Sequence, residues 1–389
     1  MQIPTDAFLY AAVFFLILQF NVAMSQVKAL LCAGGTGGHL FPAQALAQEL
    51  KNRGLFVDLA TDLRAAAYLD DFPADHLHII PSEPFSGKNL VTGLGSLIRL
   101  GSGYWKSRLI ISQTQPHIVV GFGGYPTVAP MMAAAHMNIS CILHEQNAVM
   151  GRANTFLASR VTAVATGFHL KAGCIHDGLS VIVTGIPLRE SAHIASETPF
   201  VPPSSDEPFK LLVFGGSQGA RFFSDFLPEA LSGLDETKRK QLLVVLQSRP
   251  ENRENVQYAL DHLGIQSEVA PFFKNLPERI ACAHLILCRA GASSVAELAL
   301  IGRPSVLVPL PRAQSLNDDQ GANAAYLEQT GGATIIQQKD FLPEVFTRIL
   351  SQAIDHPENL STQAEKVRLC GVADATERLA NMVEQYAGR

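Results

Sequence analysis

Two glycine-rich turns lie far apart in this chain, each directly after an apolar run and each at the head of a helix-like pattern. The first, Gly34-Gly35-Thr36-Gly37-Gly38-His39, follows Val27-Lys28-Ala29-Leu30-Leu31-Cys32. The second, Gly215-Gly216-Ser217-Gln218-Gly219-Ala220, follows Phe209-Lys210-Leu211-Leu212-Val213-Phe214. Turns without Cβ atoms let backbone N–H groups and a helix N-terminus approach a phosphate or a sugar. Meeting the arrangement twice predicts an α/β chain of two Rossmann-like parallel-sheet domains that face a cleft.

Length agrees, since 389 residues exceed one ordinary core and suit two domains. A chain that is 47% hydrophobic and 17% charged is globular and rather apolar, with no sign of disorder. Its formal net charge of −5 offers no basic excess to replace counterions, which argues against nucleic acid as a main partner. The six cysteines (Cys32, Cys141, Cys174, Cys282, Cys288, Cys370) include no Cys-x-x-Cys pair, so the ligand spacing of a metal or redox centre is absent. Cys32, Cys141 and Cys288 sit in strand-like runs and are expected to be buried free thiols in a reducing cytosol.

From Val27 onward short apolar runs alternate with amphipathic stretches, the rhythm of a parallel sheet. Strands are predicted at Lys28–Cys32, Phe56–Ala60, His117–Val120, Ser140–His144 and Ser180–Thr184. A second set follows at Lys210–Phe214, Leu242–Gln247, His284–Cys288 and Ser305–Pro309. Between them Ser196–Pro208, rich in proline, serine and acid, reads as a linker. The expected organisation is an N-terminal domain over 26–195, a linker over 196–208 and a C-terminal domain over 209–360. Residues 361–389 complete it, with Ser361–Tyr386 read as one long helix crossing back to the first domain. Residues 1–25 are an apolar extension. Ala7–Leu18 falls short of the roughly 20 residues that span a bilayer, and Asp6 is the only charge before it, unlike a signal peptide. With Met24 directly ahead of the first strand, the extension reads as an upstream-start artefact, a loose membrane tether being the alternative.

The first turn lacks the Gly-x-Gly-x-x-Gly spacing, and no acidic residue ends the next strand to hold a ribose, since Asp58 lies inside it; a dehydrogenase is disfavoured. His39 is the one residue of this loop able to exchange a proton near neutral pH, which suits a general base or a substrate contact as against a helix-capping histidine. A second set of glycines, in Gly121-Phe122-Gly123-Gly124-Tyr125-Pro126, marks either a ligand contact or a tight turn beneath a helix. In Leu143-His144-Glu145-Gln146-Asn147 four polar side chains end a strand, making Glu145 and Asn147 candidates for sugar hydroxyls. Cys288-Arg289-Ala290-Gly291-Ala292-Ser293-Ser294 opens a helix whose N–H groups could hold a diphosphate, with about half a positive charge from the aligned peptides. Glu297, about one turn later, is an acceptor for ribose hydroxyls or else a solvent-facing helix glutamate. Asn317-Asp318-Asp319-Gln320 with Asn323 forms another polar edge or a solvated loop. Over Ser86–Arg108 apolar residues interleave with Lys88, Arg99, Lys106 and Arg108, as in a helix lying on an anionic membrane surface or an ordinary amphipathic helix. Gly93, Gly95, Gly101 and Gly103 argue against one continuous helix there.

Five motifs now stand in order: Gly-Gly-Thr-Gly-Gly-His, Gly-Gly-Tyr-Pro, Leu-His-Glu-Gln-Asn, Gly-Gly-Ser-Gln-Gly-Ala-Arg and Arg-Ala-Gly-Ala-Ser-Ser-Val-Ala-Glu. In them the chain resembles the MurG family of peptidoglycan N-acetylglucosaminyltransferases, from Val27 to the C-terminal helix. The resemblance implies the two-Rossmann GT-B glycosyltransferase fold. It implies an inverting, metal-independent transfer of GlcNAc from UDP-GlcNAc to the 4-hydroxyl of undecaprenyl-diphospho-MurNAc-pentapeptide, lipid I to lipid II, with no cofactor. It also implies a peripheral place on the anionic cytoplasmic face of the bacterial inner membrane, beside other cell-wall synthesis proteins. The donor site implied by resemblance falls on Thr36, Gly37, Gly38, Asn147, Arg189, Ser217, the backbone of Phe273, Ala292, Ser293, Ser294, Val295, Ala296, Glu297 and Gln320. Gly35, Gly123, Gly124 and Tyr125 match the acceptor region, with His39 and Glu145 as catalytic candidates. Ile186 and Ser224 stand where the family commonly has asparagine, and the extension before Met24 has no counterpart in it.

In the expected scheme the helix beginning near Ala292 and Arg189 meet the charge developing on the leaving UDP. His39 is the first choice for the base and Glu145 the second. A UDP-GlcNAc 2-epimerase, a transferase for a different lipid acceptor and a non-catalytic UDP-sugar-binding scaffold are the rival readings. The Ser86–Arg108 segment and the Leu-His-Glu-Gln-Asn run favour a lipid-linked acceptor.

Overall fold

The structure is a computed structural model describing residues 26–35, 37–82, 90–170, 178–204, 207–311 and 319–388; the side chains of 66–68, 90–99 and 216–220 lie outside that description. The expectations for residues 1–25, Thr36, Ser86, Lys88, Cys174, Asn317 and Asp318, and those for the side chains of Leu90, Leu94, Leu97, Ile98, Arg99 and Ser217, therefore fall outside it.

Thirteen strands form two sheets among the described residues. The first contains β1 (Lys28–Cys32), β2 (Phe56–Thr61), β3 (His76–Ile79), β4 (Ile118–Gly121), β5 (Ser140–Glu145), β6 (Ala163–Thr166) and β7 (Ser180–Val183). Their order is β3-β2-β1-β4-β5-β6-β7. The second contains β8 (Phe209–Phe214), β9 (Leu242–Gln247), β10 (Gln266–Ala270), β11 (Leu285–Cys288), β12 (Ser305–Leu307) and β13 (Ala333–Ile335), in the order β10-β9-β8-β11-β12-β13. The registered pairings are parallel, as in β1 with β4 and β8 with β11. In each sheet the winding reverses beside the strand that feeds a glycine turn, the point at which α/β sheets open a crevice at their carboxyl edge. Two Rossmann-like sheets are thus present.

The central strands are apolar along their whole length because helices cover both faces, and β4 and β11 are buried throughout. The edge strands β3 and β10 carry exposed polar positions, which hid them from a reading of apolar runs. The two sheets share one device. His117 Nδ1 accepts the Lys28 N–H at 3.0 Å while its own N–H donates to the Lys28 carbonyl at 2.9 Å. His284 repeats both bonds with Lys210, at 3.0 and 2.9 Å.

The chain divides into two compact units. The first takes residues up to Leu143, Arg160–Thr162 and Ala380–Arg389; the second takes His144–Ser159 and Ala163–Leu379. Within the first unit Arg53 bonds Asn381 at 2.6 Å and Glu384 at 2.8 Å, tying the end of the chain to the helix Gly37–Asn52 and the turn after it. The single long helix expected over Ser361–Tyr386 is instead two, Glu358–Arg368 and Ala375–Tyr386. Gly371 lies in the break, where the backbone passes so close to the helix Ala292–Ile301 that a Cβ would lie 2.9 Å from the Ala299 carbonyl.

A second expectation is overturned in the opposite sense. Leu90–Thr114 is one helix of 25 residues despite its glycines. Gly103 serves its packing, since a Cβ there would lie 2.7 Å from the Pro81 carbonyl. Cys32, Cys141 and Cys288 are buried free thiols. Burial pushes the Cys141 thiol up to about 12 and raises Cys32 and Cys288 as well, so all three stay protonated and inert.

Candidate active site

In the first unit the two glycine turns come together around one histidine. Gly35, Gly123 and Gly124 have φ of +83°, +87° and +77°, conformations that a side chain would strain. A Cβ on Gly34 would lie 3.0 Å from Pro126 Cγ, and one on Gly124 would lie 3.4 Å from His39 Cε1. Gly124 caps the helix Tyr125–His136 and its carbonyl accepts from Thr127 Oγ1 at 2.8 Å, so the second turn is held from below. His39 lies in the first turn of the helix Gly37–Asn52, and its ring donates to the Gly34 carbonyl. Enclosure of the ring lowers its proton affinity, which the Gly34 carbonyl partly opposes. The imidazole is therefore neutral at physiological pH, the state in which it can accept a proton. Gly35, Gly37, Gly38, His39, Gly123, Gly124 and Tyr125 thus share one locality.

An acidic residue that sequence reasoning did not weigh, Asp62, stands directly after the second strand. β2 runs one residue further than its apolar run, to Thr61, and Asp62 follows. Its carboxylate is nevertheless engaged with the protein, accepting from Gly35 N–H at 3.2 Å, Arg64 Nε at 2.6 Å and Ser82 Oγ at 3.2 Å. That engagement keeps it from serving as a ribose acceptor. The polar pair Thr61-Asp62 at the close of an apolar run was the signal for it.

In the second unit Glu145 is 2% exposed. One carboxylate oxygen accepts from Asn147 N–H (2.9 Å) and Asn147 Nδ2 (3.2 Å), the other from Gly151 N–H (2.8 Å) and Asn154 Nδ2 (2.8 Å). Burial raises its proton affinity and these four donors oppose the rise. A carboxylate so saturated shapes the loop from Asn147 to Asn154 and has little capacity left to take a substrate proton. His144 is equally internal: its Nε2 donates to the Gly185 carbonyl at 3.0 Å and its Nδ1 accepts from Gln146 Nε2 at 3.1 Å. Asn147 is joined to the other polar edges through Asn323. That fully buried amide donates to Asn147 Oδ1 at 3.0 Å and to the Ala290 carbonyl at 3.2 Å, and accepts Ala148 N–H at 2.9 Å. The solvated-loop alternative is thereby overturned for Asn323. On the same helix, Asp319–Glu328, Gln320 Oε1 accepts Leu310 N–H at 3.0 Å, which leaves donation to its amide nitrogen.

The helix Ala292–Ile301 starts at Gly291 with no side-chain cap, so its first N–H groups keep their capacity for an anion. Ser293, Ser294 and Ala296 are half-buried there, while Ala292 and Val295 face the core. Glu297 is not solvent-facing: it is buried, with Arg189 Nη2 3.8 Å away. Desolvation raises its pKa to about 7, against the pull of Arg189 and with a smaller push from Glu278. Phe273 lies buried between β10 and the helix Leu276–Cys282. The Arg279 guanidinium stands 4.2 Å from its ring centre, held by Glu268 through two bonds of 2.7 Å. Sequence reasoning missed Arg289 as a framework residue. It is buried, donates to the Val308 carbonyl at 2.9 Å and Gln338 Oε1 at 2.7 Å, and stacks 4.8 Å over Phe222. An arginine directly after a buried strand was the available signal. Among the described residues no group of three or more His, Cys, Asp or Glu is arranged to hold a metal ion.

Comparison with known proteins fits these two halves. Residues 29–166 match the glycosyltransferase family 28 N-terminal domain and residues 210–379 the glycosyltransferase family 28 C-terminal domain. A UDP-N-acetylglucosamine--N-acetylmuramyl-(pentapeptide) pyrophosphoryl-undecaprenol N-acetylglucosamine transferase of Rhizobium etli (strain CIAT 652) is 49% identical over 94% of this chain and 96% of its own length. The crystal structure of Acinetobacter baumannii MurG superposes with a TM-score of 0.72 at 27% identity, covering 92% of this chain and 99% of that one. A UDP-GlcNAc 2-epimerase from Neisseria meningitidis gives a TM-score of 0.64 over 92% of this chain and 100% of its own, but at 14% identity it shares the fold alone. The chain belongs to glycosyltransferase family 28, in the MurG family of N-acetylglucosamine transferases.

Proposed function

We propose that this chain transfers GlcNAc from UDP-GlcNAc to the 4-hydroxyl of undecaprenyl-diphospho-MurNAc-pentapeptide, converting lipid I to lipid II with inversion at the anomeric carbon. What carries this is that the chain holds both half-sites: the second unit has an uncapped helix start bearing a buried Glu297, and the first unit has a neutral His39 between two glycine turns. The donor's diphosphate lies against the N–H groups of Ala292–Ser294, and Glu297 and Gln320 accept from and donate to its hydroxyls. Thr36, Gly37, Gly38, Ser217 and the Phe273 backbone complete the donor contacts, and Gly35, Gly123, Gly124 and Tyr125 receive the acceptor. The acceptor oxygen attacks C1 while the C1–O bond to UDP breaks, His39 takes the hydroxyl proton, and UDP leaves with the negative charge. That charge is met by the helix N-terminus and by Arg189, without a metal or other cofactor. Glu145 is given a positioning part, through Asn147, in place of the base.

The acceptor lipid places the reaction at a membrane. The helix Leu90–Thr114 exposes Leu100, Trp105 (69%) and Leu109, with Lys106 exposed beside them and the Arg108 guanidinium 5.9 Å from the Trp105 ring centre. No helix among the described residues is long and apolar enough to cross a membrane. This face supports peripheral binding to the anionic cytoplasmic surface of the bacterial inner membrane, near other cell-wall synthesis proteins.

One assay tests both statements. With acceptor lipid in anionic vesicles, UDP is released from UDP-GlcNAc only when the acceptor is present. The double variant Trp105→Glu/Leu109→Glu raises the KM for the vesicle-borne acceptor about tenfold or more, through the loss of two exposed apolar side chains that enter the lipid surface, while the KM for UDP-GlcNAc stays unchanged. Conversion of UDP-GlcNAc to its C2 epimer with UDP still attached, as an epimerase would give, or UDP release that does not depend on the acceptor, rules out the transfer. An unchanged acceptor KM rules out this face.

A further inference from the structure

Among the described residues of the first unit's turn region, Asp62 is a strongly buried carboxylate that the proposed reaction leaves without a part. It is 3% exposed and braced by Arg64 Nε at 2.6 Å and Ser82 Oγ at 3.2 Å. Its remaining partner is the Gly35 N–H at 3.2 Å. That N–H belongs to the same peptide unit as the Gly34 carbonyl, which accepts from the His39 ring. A peptide's N–H and C=O point in opposite directions along one dipole. Carboxylate, peptide and imidazole therefore stand in series, with the peptide between the two side chains.

We infer that Asp62 is a positioning residue for the transfer, acting through the Gly34–Gly35 peptide to fix the orientation and tautomer of His39. The inference rests on the reading of His39 as the base. Three features make the coupling effective. The peptide plane cannot rotate freely, because Gly34 is confined between Asp62 Oδ1 and Pro126 Cγ, each 3.0 Å from where a Cβ would lie. Gly35 adopts a φ of +83°, which aims its N–H at the carboxylate. A negative charge on the N–H side also polarises the carbonyl on the far side, strengthening the bond it accepts from the ring. A neutral imidazole that donates from one nitrogen must keep its lone pair on the other. Asp62 thereby selects the tautomer whose second nitrogen can take a proton, as a carboxylate bonded directly to a catalytic histidine would, but across one peptide. Arg64 holds Asp62 in place and lies against Gly35, its guanidinium 3.5 Å from the position of a Cβ there.

The experiment records 15N spectra of the His39 ring and steady-state kinetics in Asp62→Ala and Asp62→Asn. In the unaltered protein the ring shows a single tautomer. Asp62→Ala is expected to populate the second tautomer and to lower kcat about tenfold, part of the ~10²–10⁴ that a general base contributes, with the KM for UDP-GlcNAc unchanged. Asp62→Asn, which keeps the side chain's shape and one acceptor oxygen, is expected to lower kcat less and to decide the question should the alanine variant not fold. A single tautomer and full kcat in whichever variant folds would overturn the inference. Failure of the underlying reading looks different: His39→Ala would then keep full turnover, while Asp62→Ala still displaced the His39 resonances.

Discussion

Replacing His39 by alanine lowers kcat by about 10²–10⁴ while the KM for UDP-GlcNAc stays nearly constant. The size follows from what is removed. Without a base, the acceptor hydroxyl must lose its proton to water as it attacks, and the transition state forfeits that stabilisation. The selectivity follows from location. His39 lies between the glycine turns of the first unit, whereas Asn147, Arg189, Glu297 and Gln320 belong to the second, and the donor contacts beside it at Gly37 and Gly38 have no side chain for the substitution to alter. Enclosure of the ring holds its pKa below 6.5, so the imidazole is already neutral over the usual assay range. Glu145 cannot inherit the task readily, because both its oxygens already take two donors each. Steady-state kinetics at saturating concentrations of both substrates checks this, and near-normal turnover by His39→Ala would move the base elsewhere.

Glu297→Gln weakens UDP-GlcNAc binding by about tenfold or more, since a hydrogen bond to a charged acceptor contributes about 1.5–3 kcal/mol. The pH dependence is the sharper signature. Desolvation brings the Glu297 pKa to about 7, so near neutrality part of the population carries a protonated carboxyl, a poorer acceptor for sugar hydroxyls. Donor affinity in the unaltered protein therefore rises as pH increases through 7, where the carboxylate form takes over, and Glu297→Gln abolishes the rise. Arg189→Ala removes the positive charge that holds the value down, and moves the midpoint to higher pH. Titration calorimetry of UDP-GlcNAc on either side of pH 7 measures all three. A flat profile in the unaltered protein would remove Glu297 from the hydroxyl contacts.

Much of the fold was legible where burial is two-sided. β1 and β9 were read to the residue, and β4, β8 and β11 to within one, because strands covered on both faces must be apolar throughout. β3, β10 and β13 escaped for the converse reason: edge positions let polar residues such as His76, His78, Gln266 and Glu268 into the strand. β6 escaped too although it is interior and buried throughout, because its four residues Ala163-Val164-Ala165-Thr166 make too short an apolar run to stand out. Local propensity misled over Leu90–Thr114, where tertiary packing tolerates four glycines and uses one of them. The site was legible in its residue types and less so in their duties. Glu145 looks like a base in a polar run, yet its loop folds around it. Glu297 looks like a surface residue by its place on a helix, yet it is buried. Asp62 is marked by its place after an apolar run, but its bonds to Gly35 and Ser82, 27 and 20 residues away, are disclosed by no motif spacing.

The bond from Lys210 N–H to His284 leaves the second sheet with an acid-labile point. His284 can accept the Lys210 N–H only while unprotonated, and burial lowers its pKa from 6.5 to about 4. His144, lodged between Gly185 and Gln146, is lowered to about 4 for the same reason. In both cases the unfolded chain binds the extra proton more readily, so their stabilisation is complete above pH 6.5 and drains away as pH falls toward 4. Thermal melts across that interval should descend steadily, so mildly acidic buffers would erode the fold as well as donor binding.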